Sequence, residues 1–162
     1  MAKNRFSESH GILGLTVDGD WNAGFDSDSI DMAKYNHCTI IIIGDTNLAG
    51  NAVLTLYGGA TAGTKTAAAT FAYRYSGADI GAANSDVLGA VATSAALTST
   101  ATSMDSRVTV IEFEAADLNI SGTQYRYATL EVSAAGTAGT CDIIAILSEP
   151  RYLEAVMDTA QA

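Results

Sequence analysis

Short apolar runs separated by small and polar residues recur along the chain. The strongest run covers residues 39–43, is β-branched throughout and ends at Gly44-Asp45. A continuous run of this length is typical of a strand that is covered on both faces. In two other segments, 70–75 and 125–132, the aromatic side chains stand two positions apart. This is the pattern of a strand with one buried face.

The same patterns predict further strands. They lie at 53–57, 108–114 and 143–147, with a short apolar segment at 12–17 and weaker signals around Val87-Leu88 and Ala96-Leu97. Turns rich in Gly, Ser and Thr separate these strands, about eight in all, and no long amphipathic helix interrupts them. The sequence therefore predicts an all-β fold, a single antiparallel β-sandwich or jelly-roll-like domain, rather than a βαβ fold.

The two ends of the chain differ from this middle part. Residues 1–10 are polar and have no period, so we interpret them as an N-terminal arm that precedes a sandwich domain at 11–150. Residues 151–162 form a C-terminal tail. Its apolar side chains have helical spacing: Tyr152, Leu153, Val156 and Met157. This spacing predicts a short helix in the tail.

Composition narrows the functional classes. Hydrophobic residues make up 48% of the 162 positions and charged residues 16%. The share of apolar side chains is too high, and the share of charged ones too low, for a disordered protein. Acidic residues outnumber basic ones 18 to 8, which gives a formal net charge of −10. Nucleic acids and anionic membranes attract positive surfaces, so neither is expected as a partner. No apolar stretch approaches the ~18 to 20 residues of a membrane span.

The two cysteines and two histidines do not have the spacing of zinc ligands. His37 and Cys38 are adjacent, and neighbours on a strand point to opposite faces, so they do not form a nucleophile–base pair. We expect Cys38 and Cys141 to be small buried side chains. A disulfide between them stays open as an alternative, provided that their strands are neighbours.

An aspartate-rich turn is the candidate for a metal site. Asp18, Asp20 and Asn22 match the first three ligand positions of a calcium loop, but Ala23 stands where that loop has glycine and Ser29 where it has glutamate. The alternatives are a looser calcium site and an acidic loop that hydrogen-bonds its own backbone. We favour the second, and no cofactor is expected.

Two further motifs suggest chemistry only weakly. Glu112 and Glu114 share one face of a strand and Asp117 follows, an arrangement that a hydrolase could use, but like charges on a solvated face are ordinary in so acidic a chain. The Gly-rich loop at 58–66 differs from a phosphate-binding loop because one residue is inserted before Lys65 and a strand replaces the helix. We therefore expect a protein that is not an enzyme.

Aromatic residues on two predicted strands could form a platform for a sugar ring. The set is Phe71, Tyr73, Tyr75, Tyr125 and Tyr127. Residues at such positions more often belong to the core and to cross-strand pairs. A carbohydrate-binding module therefore stays an alternative function.

Three segments resemble a family of small virion proteins of tailed bacteriophages. They are 10–20 (HGILGLTVDGD), 31–42 (DMAKYNHCTIII) and 145–152 (AILSEPRY). The similarity spans most of the chain, whereas the loop at 58–65 departs from the family pattern, which is more polar there. Such proteins are encoded beside head genes, and several are thought to be capsid decoration, or cement, proteins. The resemblance implies a structural role at the capsid surface, assembly in the bacterial host cytoplasm and the major capsid protein as partner.

The charge of the arm adds a candidate contact with the shell. Lys3 and Arg5, two of only eight basic residues, stand beside Phe6 and could bind an acidic groove on the shell. The tail provides a second set of contact residues: Tyr152, Leu153 and Val156. Binding at many lattice points, as a homotrimer, lets weak contacts add up. We therefore expect a decoration protein; the alternatives are a head–tail joining or tail protein and a carbohydrate-binding module.

Overall fold

The computed structural model describes residues 6–46 and 48–151, which form two main β-sheets around a common hydrophobic core. The expected all-β class is confirmed. Helix within these ranges is confined to two four-residue α-helices and one 3-10 turn. None of these helices is long and apolar enough to cross a membrane.

The elements have the following bounds. The helical segments are α1 (Phe6–Ser9), α2 (Ala101–Met104) and a 3-10 helix (Ala115–Leu118). The strands are β1 (Gly11–Asp20), β2 (Phe25–Asp26), β3 (Ile30–Asp31), β4 (Tyr35–Gly44), β5 (Asn51–Gly59), β6 (Ala67–Ala68), β7 (Phe71–Tyr75), β8 (Ala92–Ser94), β9 (Leu97–Thr100), β10 (Val108–Glu114), β11 (Asn119–Ile120), β12 (Thr123–Gln124), β13 (Tyr127–Val132) and β14 (Thr140–Pro150).

The larger sheet has six antiparallel strands in the order β1-β14-β4-β10-β7-β8. The last strand, β14, lies between β1 and β4, so the two ends of the domain are joined within one sheet. The smaller sheet is built on the pair β13 and β5. β2 and β3 extend it from β13, and β6 and β9 extend it from β5.

Alternate residues of both sheets fill the core, as the period of two requires. On β4 these are Cys38, Ile40 and Ile42, none of which is exposed to solvent. Residues of β5, β13 and β14 complete the interior: Leu54, Leu56, Ala128, Leu130, Val132, Ile143, Ala145 and Leu147. Each large apolar side chain buried in this way contributes about 1.5–3 kcal/mol, so the core fixes which face of each strand points inward.

β4 is covered on one face only, so the expectation for residues 39–43 is wrong. Ile42 is fully buried, whereas Ile41 is half-buried and Ile43 is 38% exposed. The outward side chains lie beside others across the sheet, where Ile41 is in register with Ile144. β-Branched side chains pack well side by side on a pleated surface. This explains a continuous apolar run in a strand with one partly exposed face.

The two cysteines lie on neighbouring strands but do not meet. Cys38 pairs with Leu147, and Cys141 pairs with Gly44, six positions further along β4. Both thiols are free and buried, so the alternative of a disulfide between them is ruled out by the strand register. Burial raises the pKa of the Cys38 thiol far above its ordinary value and raises the pKa of the Cys141 thiol to about 12.

The segment between β7 and β9 differs most from its prediction. Val87 and Leu88 do not form a strand; Leu88 makes one isolated bridge to Ser76, and both apolar side chains are exposed. The signal around Ala96-Leu97 corresponds to the start of β9, which pairs with β5 in the smaller sheet. The run of small residues here gives little periodicity, so the pattern could not distinguish an apolar loop from a weak strand.

Candidate interaction surfaces at the two ends of the larger sheet

The larger sheet has two ends that present different groups. At one end Gly11 pairs with Leu147 and Pro150 pairs with Tyr35, so both ends of the described chain leave the sheet there. We call this the terminal end. The opposite end, where β1 and β4 finish and β14 begins, is called the distal end. The proposed arm and tail therefore both start from the terminal end.

The described part of the arm is a single helical turn, α1. The ring of Phe6 stacks on that of His10 with a centroid separation of 4.0 Å and is 53% exposed. The Nδ1 atom of His10 lies 3.0 Å from the carbonyl oxygen of Phe6 and 2.9 Å from the Ser9 hydroxyl. Lys3 and Arg5, the two cationic contact residues of the prediction, lie outside the described residues.

The tail leaves the sheet through Arg151. Its backbone N–H donates to the carbonyl oxygen of Lys34 at 2.8 Å, and its Nε donates to Oδ1 of Asn36 at 2.9 Å. These bonds hold Arg151 against Lys34 and Asn36 at the start of β4. The predicted contact residues and the predicted tail helix lie outside the described residues: Tyr152, Leu153 and Val156.

In the candidate calcium loop, the Asp20 carboxylate binds the backbone of the turn, and the backbone of Asp18 is bound by Asp142. Oδ1 of Asp20 accepts from the N–H of Asn22 at 2.9 Å and of Ala23 at 3.3 Å, which closes the turn after β1. Asp18 has a left-handed backbone (φ 50°), and its N–H donates to Oδ1 of Asp142 at 2.9 Å. Across residues 6–46 and 48–151, no cluster of three or more His, Cys, Asp or Glu side chains could hold a metal ion.

Asp18 instead lines a cleft of about 420 Å³ at the distal end. Asp142 and Asp45 line the same cleft; Oδ1 of Asp142 accepts the N–H of Asp18, and Oδ2 of Asp45 accepts the Thr140 hydroxyl. Its apolar part includes Ile43 and Ile80, which are 38% and 51% exposed. No lysine or arginine is among the residues that line it. The cleft therefore combines apolar and anionic side chains. We call it the distal cleft.

The loop that follows β7 brings Ile80 to this cleft. Gly77 N–H donates to the carbonyl of Val87 and Ile80 N–H to the carbonyl of Ser106, both at 2.7 Å. Exposed apolar side chains are concentrated in this loop: Ile80, Val87, Leu88 and Val91. Sequence reasoning missed the cleft because its walls come from β1, β4, β14 and this loop, which are far apart in the chain.

The carboxylates weighed as a weak hydrolase candidate, Glu112, Glu114 and Asp117, line one cavity of about 450 Å³ together with His37. Nε2 of His37 lies 3.9 Å from Oε1 of Glu112. Asp117 has a structural role, since its Oδ2 accepts the N–H of Glu114 at 2.8 Å and closes the start of the 3-10 helix. The carboxylates thus share a surface, and one of them is engaged by the backbone.

Lys65, in the Gly-rich loop, points to carboxylates of the smaller sheet. Its Nζ lies 2.8 Å from Oδ1 of Asp26 and also donates to Glu131. These contacts raise the pKa of Lys65, with the Asp26 hydrogen bond as the largest cause. The short strand β6 follows the loop in place of a helix, so the loop lacks the geometry that binds phosphate.

The aromatic residues are divided between the two sheets. Phe71 is 2% exposed, and Tyr73 packs edge-on against it with centroids 6.4 Å apart. Tyr73 and Tyr75 pack against the core, as does Tyr125 near the other sheet. The ring of Tyr127 lies under the guanidinium of Arg126. They do not form one exposed platform, which favours the interpretation as core and cross-strand residues.

A scan against protein-family models and a search of curated proteins found no match to this chain. Among solved structures, the fold is similar to that of YomS, an SPBc2 prophage-derived protein, with a TM-score of 0.51 and 10% sequence identity. The alignment covers 85% of this chain and 91% of that one. The similarity shows a shared fold.

Proposed function

We propose that this protein is a phage capsid decoration protein, which binds the outside of the head lattice and stabilises the shell. The observation that carries the proposal is the common exit of the arm and the tail. Gly11 and Pro150 both lie at the terminal end of the larger sheet. Two chain segments that start from one end of a rigid domain are suited to engage one surface of a larger assembly.

The shared fold supports a phage role. YomS is described as prophage-derived, and its fold extends over most of both chains. The resemblance of segments 10–20, 31–42 and 145–152 to small tailed-phage virion proteins points the same way. Together they favour a structural part of the virion, and the decoration role is the form of it that we propose.

The domain has the physical properties that such a role needs. Its two thiols are buried and free, so the fold does not depend on an oxidising compartment. The described part of the chain is held by long strands of two sheets, and rigid domains lose little entropy on binding. Association with the major capsid protein at many lattice points, as a homotrimer, multiplies modest affinities through effective concentration.

Quantitative mass spectrometry of purified virions tests the proposal. A copy number equal to that of the major capsid subunit, or a simple fraction of it, is expected. A single ring of copies would instead identify a head–tail joining or tail protein. Absence from the particle would overturn a virion role and favour the carbohydrate-binding alternative, which a glycan array with Tyr73→Ala and Tyr125→Ala variants would examine.

A binding assay with capsids that lack the protein tests the role of the two segments. Removal of residues 1–5, which leaves α1 in place, and the pair Leu153→Ser with Val156→Ser are each expected to weaken binding without lowering the melting temperature of the domain. The exposed substitution Ile12→Ser serves as a control outside both segments. Unchanged binding by both variants would show that neither the arm nor the tail contacts the shell.

A further inference from the structure

We propose that copies of this protein associate head to tail, with Lys3 and Arg5 of one copy bound in the distal cleft of the next. The occupant is a second copy of the same chain. This inference concerns the free protein, and it does not rest on the proposed role on capsids.

The distal cleft has the chemistry of a receptor for a cationic, partly apolar segment. Asp18, Asp45 and Asp142 line it, and no basic residue does. Asp142 uses one carboxylate oxygen for the N–H of Asp18, which leaves its other oxygen for an incoming donor. Ile43 and Ile80 add exposed apolar surface to the same lining. A lining that combines apolar surface with charge of one sign suits a partner segment that is apolar and oppositely charged.

The arm carries the complementary groups. Lys3 and Arg5 are two of eight basic residues in a chain with 18 acidic ones, and both stand close to Met1 and Phe6. Hydrogen bonds between such cations and carboxylates are roughly twice as strong as neutral ones. A segment with two cations and nearby apolar side chains matches a cleft lined by carboxylates and isoleucines.

The distance along β1 favours a neighbouring copy over the arm's own chain. α1 leads directly into Gly11 at the terminal end, whereas Asp18 lies seven residues further on, which is about 23 Å along a strand. Lys3 is three residues from Phe6, and three extended residues span about 11 Å at most. Arg5 is closer still to α1. The arm is therefore too short to occupy the distal cleft of its own chain, which leaves a second copy as the occupant.

Such a contact is heterologous, since the two copies use different surfaces. Repetition of a heterologous contact closes into a ring when the rotation between copies allows it, and otherwise gives open chains.

Sedimentation velocity of the purified full-length protein, without capsids, tests the inference. Wild-type protein is expected to self-associate. The association is expected to weaken as salt is added, because dissolved ions screen the attraction between the cations of the arm and the carboxylates of the cleft. Lys3→Ala with Arg5→Ala is expected to weaken it by about tenfold or more. Asp18→Asn with Asp142→Asn is expected to weaken it equally. Asparagine accepts the same N–H at position 142 and tolerates the left-handed backbone at position 18.

The combination of all four substitutions distinguishes a direct contact from two separate effects. If arm and cleft bind each other, the combined variant is expected to associate no more weakly than either pair alone. Asp86→Asn removes one exposed carboxylate that does not line the cleft; it serves as the control for loss of surface charge and is expected to leave association unchanged. Melting curves establish that the variants are folded.

Three outcomes would overturn the inference. One is a wild-type protein that stays monomeric at every concentration tested. Another is an association that neither pair of substitutions weakens. The third is a combined variant whose loss is the sum of the two separate losses. Each is independent of virion copy number, so this inference and the decoration role can fail separately.

Discussion

The guanidinium of Arg126 donates two hydrogen bonds to the carboxylate of Asp31, and one of them, from Nε, measures 2.8 Å. The pair joins β3 to the residue that precedes β13, where the N–H of Met32 also donates to the carbonyl of Arg126. The hydrogen bond from Arg126 is the largest cause of a lowered pKa for Asp31, below its ordinary 3.8. The edge of the smaller sheet is therefore sensitive to acid.

Asp31→Asn should remove part of the acid dependence of stability. As the pH falls, the unfolded chain binds a proton at Asp31 before the folded chain does, because the folded pKa is the lower one. The contribution of the pair is present above the ordinary carboxylate pKa and is lost as pH falls through the folded value. Melting temperatures between pH 7 and pH 2 should show a gap between wild type and variant that closes at the acid end. A gap of constant size would contradict this prediction, and Asp86→Asn is the control.

The buried thiols should be unreactive in the folded protein. Burial disfavours the thiolate, which is the nucleophile, and raises the pKa of both Cys38 and Cys141. A thiol reagent at pH 8 should therefore detect almost no free thiol in the native protein and two per chain in denaturant. Rapid modification under native conditions would show that β4 or β14 opens easily.

Two adjacent isoleucines of β4 should differ sharply in their contribution to stability. Ile42→Ala removes a fully buried side chain and should cost about 2–5 kcal/mol in the free energy of unfolding. Ile43→Ala removes one that is 38% exposed and should cost less than about 1 kcal/mol. Urea denaturation of both variants measures the difference. Equal losses would indicate that the outer face of the sheet is covered.

Gly44 should tolerate no side chain, whereas Gly14 should. A Cβ atom at Gly44 would lie 2.0 Å from the carbonyl oxygen of Met104 and 2.6 Å from Cδ1 of Leu48, so the backbone would have to move. Gly44→Ala is expected to cost about 1–3 kcal/mol. At Gly14 nothing lies within 4 Å of such an atom, and Gly14→Ala is expected to be neutral or slightly stabilising. A calorimetric comparison of melting temperatures checks the pair, and a stable Gly44→Ala protein would contradict the geometry.

Local patterns were sufficient to predict most of the long strands. The structure places β7 within the alternating segment 70–75 and β13 within 125–132, where Ala128, Leu130 and Val132 form a buried face. The apolar run at 39–43 predicted the strand correctly but not how many of its faces are covered. Isoleucines that pack beside one another on an outer face give the same sequence pattern as isoleucines covered by a second layer of structure. Burial of one face, not of both, distinguishes Ile42 from Ile43.

Strand order and the distal cleft could not be predicted because they depend on distant parts of the chain. Asp18 and Asp142 are 124 residues apart, and only the pairing of β1 with β14 brings them together. Sequence reasoning grouped Asp18 with its neighbours Asp20 and Asn22, which serve the turn instead. The exposed loop after β7 contains an apolar pair, Val87-Leu88, that is visible in the sequence. The hydrophobic pattern alone predicted a weak strand there and not an exposed loop.

The position of β14 between β1 and β4 has a consequence for how the chain folds. Twelve strands lie between β1 and β14 along the chain, so β1 lacks its partner in the sheet until all of them have been synthesised. Contacts between such distant segments carry a large loop-closure entropy and slow folding. The insertion of β14 is therefore expected to be the late, rate-determining event. Until then two long strands present open edges, and chaperones that shield such edges would raise the yield of native protein.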